Sequence, residues 1–316
     1  MTYSIYDYSN TNKLHRKALL GAIKSVNSMR IKHDDIVIVV STRNMIKIIP
    51  NVIWSRTKTI MAIVGFGRLY SDYGILGRLA FQLIVLFHDR TTARAFIVEH
   101  DVDKALLQKY VRRPVFTTHG SGLDTTGFSR KRKNLGEKIQ IGYLSRFGKS
   151  KGSHEILKAA VDLPEDRHLI IAGWDIKGDM YSRSFSELAK HKKNVEFLGR
   201  LTSREDISRF FNRLDLFLSP SVREGGNISL QEAIWHQVPF LTTPVPGCKR
   251  LAETFGCPMY PMENFCNAIQ RIKPAEFYSD NHDWQDLVKP FLERSVRLEY
   301  KNILLTVAAS VNQTKV

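Results

Sequence analysis

Ile139–Gly152 reads IQIGYLSRFGKSKG: a β-branched, apolar run, Ile139 to Leu144, opens into a polar loop that carries Arg146, Lys149 and Lys151 and closes on Gly152. A segment of helical period, His154 to Val161, follows at once. A strand that turns through a glycine-bearing loop into a helix offers backbone N–H groups and the positive end of the helix dipole to an anion. Arg146 and Lys151 add full charges at the same place, which suits a diphosphate.

Downstream the alternation continues. Strand composition recurs at His168 to Ala172, Val195 to Leu198, Leu214 to Leu218, Pro239 to Thr242 and Pro258 to Tyr260. Helical period recurs between them, at Phe185 to His191, Glu205 to Arg213, Ile228 to His236 and Cys248 to Phe255. Strict alternation predicts an α/β fold with a parallel sheet covered on both faces. Upstream, Ile36 to Val40, Thr59 to Val64, Ala95 to Val98 and Val115 to Thr118 repeat the pattern less clearly, and no opening strand with a glycine-rich loop is recognisable at the N-terminus. Gly120-Ser121-Gly122-Leu123-Asp124 and the charged run Ser129 to Lys138 have turn and linker composition.

The expected organisation is an acceptor-side domain over 1–128, a linker over 129–138, a donor domain over 139–283 and terminal helices over 284–316. Within the last, Leu287, Phe291, Val296, Leu298, Ile303, Leu304 and Val307 form apolar faces suited to packing back across the molecule. Parallel sheets bind ligands outside the carboxyl ends of their strands, so two such domains predict a cleft between them.

A second motif is Glu224-Gly225-Gly226-Asn227-Ile228-Ser229-Leu230-Gln231-Glu232-Ala233. Its two carboxylates lie eight residues apart across a glycine pair and a helix start, so they cannot share one regular helix face. Glu224 on the loop and Glu232 on the helix would approach one ligand from different sides, with Gly226 and Asn227 N–H groups toward its phosphates. Glu232 suits the vicinal hydroxyls of a ribose, and Glu224 suits a sugar. Gly173-Trp174-Asp175 and Gly199-Arg200-Leu201 follow two further strands, and backbone atoms there are placed to read a nucleobase edge.

Charge is uneven along the 316 residues. Of the formal +16, Met1 to Lys138 holds +13, from 23 Lys and Arg against 10 Asp and Glu. Such a field favours an anionic partner: a phospholipid surface, a nucleic acid or a phosphorylated substrate. Composition does not choose among these, but the sequence has neither a recognition-helix motif nor an RNP-like aromatic motif, so nucleic acid is not an expected partner. Cys248, Cys257 and Cys266 form no CxxC and no zinc pattern, and a reducing cytoplasm fits them best. Met1 to Asn12 lacks the basic flank and apolar stretch of a secretory signal. The apolar window Ile75 to His88, interrupted by Arg78, is shorter than the roughly 20 residues of a spanning helix and reads as a buried or interfacial helix.

Taken in order, these motifs resemble the retaining GT-B glycosyltransferases of family 4, of the bacterial surface-polysaccharide and lipopolysaccharide type. GSGLD with Phe128, GYLSRFGKSKG, IAGW, FLGRLT, EGGNISLQEA, VPFLTTPVPG and Trp284 match the family's sequence from about Gly120 to Glu299. Ile63 to Tyr70 and Val98 to Asp103 look like its acceptor-side elements, in a shortened N-terminal domain. The resemblance implies two Rossmann-like domains, a C-terminal helix crossing back to the first, and sugar transfer from a nucleotide-sugar, UDP favoured, with retention and no metal or other cofactor. It implies that Arg146, Lys151 and Glu224 act in catalysis. Gly120, Ser121, Gly173, Gly199, Arg200, Leu201, Gly225, Gly226, Asn227, Ile228 and Glu232 would line the donor. His100 and His119 are candidates for a base, and neither is assigned. The expected acceptor is a lipid-linked glycan or polysaccharide, reached by a cytoplasmic protein held peripherally at the inner membrane face through its basic N-terminal domain. The alternative is a non-catalytic nucleotide-sugar-binding partner of a glycosyltransferase complex.

Overall fold

A computed structural model of the chain describes residues 3–6, 36–55, 58–63, 73–129, 137–175, 177–273 and 284–313. The acceptor-side glycine segment Gly65–Gly67 and the basic run Arg130–Lys133 lie outside them. Contacts divide the chain into two units, Met1–Asp124 with Pro290–Val316, and Thr125–Lys289. Each is built on a five-stranded sheet whose paired strands are all parallel, as strand and helix in alternation require.

In the first unit, β1 (Tyr3–Tyr6), β2 (Ile36–Val40), β3 (Lys58–Ile63), β4 (Ala93–Val98) and β5 (Val115–Thr117) lie side by side in chain order. The four-residue β1 escapes sequence reading because it is short and carries no continuous apolar run, yet it pairs in register with β2. Right-handed crossovers in a sheet wound one way put the connecting helices on one face. Val39, Met61, Ile63, Phe96 and Val98 point to that face. They pack against Met45 and Ile48 of α1 (Thr42–Ser55), Phe81 and Val85 of α2 (Gly74–Thr91) and Leu107 of α3 (Asp101–Gln108). His88 of α2 bonds the Met45 carbonyl at 3.0 Å, and burial lowers its pKa, favouring the neutral ring.

In the second unit, β6 (Ile139–Phe147), α4 (Ser153–Val161), β7 (Arg167–Asp175), α5 (Met180–His191), β8 (Val195–Gly199), α6 (Arg204–Phe211), β9 (Leu216–Ser219), α7 (Ile228–Trp235) and β10 (Phe240–Thr242) alternate. α8 (Pro246–Phe255), α9 (Met262–Arg271) and α10 (Trp284–Val288) follow. The order β10-β9-β6-β7-β8 means that the chain winds outward from β6 to β8 and then returns to the other side of β6. Between β6 and β9 the winding reverses, and at such a switch point the loops leaving the two strands diverge and open a crevice.

Three strand boundaries differ from the sequence reading. β6 runs on to Phe147 and β7 to Asp175, so Arg146 and Gly173 sit within paired strands and not on the loops after them. Pro258–Tyr260 makes a single bridge, Thr242 to Met259, and no strand. α9, which has no counterpart in the sequence reading, is fixed by Phe265, Ala268 and Ile269 in the core.

At the end of α7, Gln237 takes φ 58, the left-handed conformation that glycine usually supplies after a helix. Gln237 N–H bonds the Ile234 carbonyl and Val238 N–H bonds the Ala233 carbonyl, both at 2.9 Å, which is a Schellman closure built on a non-glycine residue. A left-handed residue with a Cβ costs roughly 1–2 kcal/mol, partly offset by its smaller entropy in the unfolded chain. Gln237→Gly is therefore expected to raise the thermal midpoint of the second unit by about 2–4 °C, measured by calorimetry.

α11 (Glu293–Gln313) belongs to the first unit. It supplies what one-way winding leaves out, a cover for the second face of that sheet. Val296, Tyr300, Ile303, Leu304, Val307 and Ala308 pack on Ile36, Ile38, Val40, Ile60, Ala62, Ala95 and Ile97. The outgoing and returning chains run together, with Leu123 N–H to the Phe291 carbonyl at 2.7 Å and Glu293 N–H to the Leu123 carbonyl at 2.9 Å. A Cβ on Gly122 would lie 2.7 Å from the Glu293 Cα, which explains the second glycine of the GSGLD motif.

Candidate functional site

The loops that leave β6 and β9 meet at the switch point of the second unit. The first passes through a 3-10 turn, Lys149–Lys151, to Gly152, which has φ 68 and lies so close to the neighbouring loop that a Cβ would stand 2.0 Å from the Pro220 carbonyl oxygen. Val222 N–H bonds the Ser150 carbonyl at 3.0 Å across the same contact. The loop is anchored from below by buried Tyr143, whose hydroxyl donates to the Lys151 carbonyl at 3.0 Å and pairs with Ser153 Oγ at 2.9 Å. Ser153 Oγ in turn accepts the Gly148 N–H at 2.9 Å.

On that frame Lys151 Nζ donates to Glu224 Oε1 at 2.6 Å, both side chains being largely buried. The same oxygen accepts Ser221 Oγ at 2.6 Å and Asn227 Nδ2 at 3.3 Å. Three donors on one atom fix the carboxylate's position. Asn227 caps α7 by accepting Leu230 N–H at 3.2 Å, while its amide donates to Ser219 Oγ at 2.8 Å. Its side chain thus serves to hold Glu224 and the helix start. Gly225 is pressed on by α8, because a Cβ on Gly247 would lie 1.9 Å from the Gly225 carbonyl oxygen.

Glu232, one turn further along α7, is buried, and burial pushes its pKa up to about 7, with Arg204 Nη1 at 3.6 Å opposing the shift. Between its ordinary 4.5 and about 7, the folded chain holds a proton that the unfolded chain has released. Stability supplied by this group therefore falls as pH rises through that window. Glu232→Gln is expected to flatten that slope in urea titrations at pH 5, 6, 7 and 8.

Arg146 is exposed near the end of β6 and pairs with no carboxylate among the described residues. It stands in register beside Trp174 of β7, and Arg200, just past β8, lies 4.4 Å from the Trp174 ring. Gly173 is held against the Ser145 carbonyl, Gly199 ends β8 at φ 66, Leu201 follows it, and Ile228 opens α7. Gly120 and Ser121 belong to the first unit, as do His100, buried ahead of α3, and His119, whose ring and N–H both bond Glu299. Sequence reasoning did not single out Ser221, Arg204, Tyr143 or Gly247. Gly247 was legible within the PVPG motif, and Ser221 in the polar exit of β9.

Residues 125–269 match the family model described as glycosyl transferases group 1. The second unit carries a glycosyl transferases group 1 domain. Protein CapJ of Staphylococcus aureus is 32% identical over 121 residues, 37% of this chain and 30% of CapJ. Lipopolysaccharide glucosyltransferase WaaG of Escherichia coli K12 is 36% identical over 116 residues, 34% of this chain and 28% of WaaG. The chain thus spans less than a third of the length of either relative in these matches. Among solved structures, Anabaena HepE in complex with UDP-glucose superposes with a TM-score of 0.72 at 13% identity, covering 96% of this chain and 98% of HepE. The whole chain therefore has the GT-B fold, and the group 1 domain contains every residue of the Lys151, Glu224 and Glu232 constellation.

Proposed function

We propose that the chain transfers a sugar from a nucleotide-sugar, UDP favoured, to a lipid-linked or polysaccharide acceptor in bacterial surface polysaccharide synthesis, with retention at the anomeric carbon. The observation that carries this reading is the Lys151–Glu224 contact at the β6–β9 switch point of a group 1 domain. Arg146 and Lys151 hold the diphosphate and stabilise the charge that develops on the leaving nucleotide, the part a divalent cation plays elsewhere. Glu224, fixed by three donors, orients the sugar, and Glu232 takes the ribose hydroxyls. Gly225, Gly226 and the N-terminus of α7 face the phosphates. WaaG, a lipopolysaccharide glucosyltransferase, supports the surface-glycan setting, and HepE, solved with UDP-glucose, supports UDP as the nucleotide. The basic N-terminal half suits work at an anionic membrane surface on the cytoplasmic side.

The test is incubation of the purified chain with UDP- and GDP-sugars and a membrane lipid extract, following nucleotide release and lipid-linked sugar. Lipid-dependent release from UDP-sugars, undiminished by EDTA, is the expected result. Donor binding without release under any lipid condition would favour the non-catalytic partner.

A further inference from the structure

Of the two glutamates in the EGGNISLQEA motif, one is held by hydrogen bonds and the other by a charge. Glu224 receives three donors on one oxygen. Among the described residues none donates a hydrogen bond to the Glu232 carboxylate, whose side chain is 7% exposed, and Arg204 Nη1 stands 3.6 Å from it. That separation exceeds the ~2.7–2.9 Å of a charge-assisted hydrogen bond. The guanidinium therefore acts through its field and leaves the oxygen lone pairs to other donors.

Arg204 stands where helix electrostatics do not favour it. It is the first residue of α6, whose start carries the usual signals: Ser203 accepts the Asp206 N–H at 3.0 Å, and Glu205 and Asp206 occupy the first turn. A cation there meets the positive pole of the helix. Local rules of this kind are broken where a site needs the residue. Phe128 helps to hold it, with its ring 5.2 Å from the Arg204 Cζ.

Phe128 comes from the turn with which the chain enters the second unit. Its N–H bonds the Thr125 carbonyl at 3.0 Å, and Gly127 takes φ 80, as the third residue of a type II turn must. Ser129, next in the chain, is tied to α6 through its N–H to Ser208 Oγ at 3.0 Å, and its carbonyl accepts the amide of Asn212 at 2.8 Å. The Phe128 ring packs at 5.4 Å on Trp235 and at 5.0 Å on His236, at the end of the helix that bears Glu232. His236 Nδ1–H bonds the main-chain carbonyl of Glu232 at 2.7 Å and not its carboxylate. Other charges on the helices around α7 form no ion pair with Glu232: Glu205, Asp206 and Arg209 on α6, Lys249, Arg250 and Glu253 on α8, and Asp286 on α10.

We infer that Arg204, carried by Phe128, is a positioning residue for the nucleotide, keeping the Glu232 carboxylate charged and aligned for the two ribose hydroxyls. The inference rests on the reading of Glu232 as the ribose ligand and adds the group that prepares it. Burial works against the charged state by pushing the carboxyl up to about 7, and Arg204 opposes the push. Removing its charge extends the neutral form to higher pH.

The experiment is calorimetric titration of UDP into the full chain between pH 6 and 9, for wild type, Arg204→Gln, Arg204→Lys and Phe128→Leu, with urea stability measured over the same range. Dividing each variant's Kd by the wild-type Kd at the same pH cancels the ionisation of UDP and of groups common to both. For Arg204→Gln the ratio should be about five or more at pH 7 and within about twofold of one at pH 9, where Glu232 ionises in either chain. Arg204→Lys should bring the ratio back near one, and Phe128→Leu should fall between. In urea, stability should go on falling to higher pH in Arg204→Gln than in the wild type, since a carboxyl pKa already raised by folding is raised further. A Kd ratio that is the same at every pH overturns the inference, because the arginine then only supports the local fold. So does a stability window that does not move. A wild type that binds no UDP, with a window that moves as expected, counts against the ribose reading and leaves the Arg204–Glu232 coupling in place.

Discussion

Lys151→Ala is expected to lower the rate of sugar transfer by about 10²–10³-fold, the range found when one preorganised stabiliser of a developing negative charge is removed. The lysine touches Glu224 at 2.6 Å and sits on a loop locked by Tyr143, Ser153 and the Gly152–Pro220 contact, so its ammonium needs little rearrangement to meet a diphosphate. The fold should survive, because the loop is held by backbone and hydroxyl groups that the substitution leaves in place. Glu224 keeps Ser221 and Asn227 as donors. The decisive comparison is kcat against KM. A loss mostly in kcat identifies a group that acts as the nucleotide leaves, whereas a rise in KM alone identifies one that only binds the donor.

Tyr300→Ala should destabilise the first unit by about 3–5 kcal/mol, the usual cost of truncating a large buried aromatic ring. Tyr300 is fully buried in the layer where α11 covers the sheet, among Ile38, Ile60 and Ile97. Burial pushes its phenol well above the ordinary range. Because two units unfold, the measurement is a urea titration followed by near-ultraviolet circular dichroism, in which the first transition moves and the second, along with its shift by UDP, does not. Unchanged stability of the first unit in Tyr300→Ala would mean that α11 does not hold its sheet.

The second unit was open to sequence reading because its strands are short apolar runs and its candidate site residues follow in fixed order at or near their carboxyl ends. The reading stopped at Leu144 and Ala172, where Ser145, Arg146, Gly173 and Trp174 end the hydrophobic pattern, although ladder pairing continues to Phe147 and Asp175. Hydrogen-bond pairing does not depend on side-chain hydrophobicity, so a strand can outrun its pattern. The Lys151–Glu224 contact was out of reach for another reason. The two residues are 73 positions apart, and only the return of β9 to the side of β6 brings them together. The first unit was harder, since β1 is four residues long and the cover of one sheet face comes from the far end of the chain. Gln237 shows the reverse case. No glycine follows the Ile228 to His236 helix in sequence, and the backbone adopts the left-handed turn regardless.

The central claim is that the β6–β9 switch point binds the diphosphate of a nucleotide-sugar. Isothermal titration of UDP into the wild type, Lys151→Ala and Arg146→Ala tests it most directly. One site per chain in the wild type, weakened by at least about tenfold in each variant, is the predicted result, since each removes a charge-assisted bond. Wild-type binding that neither substitution changes would contradict the claim.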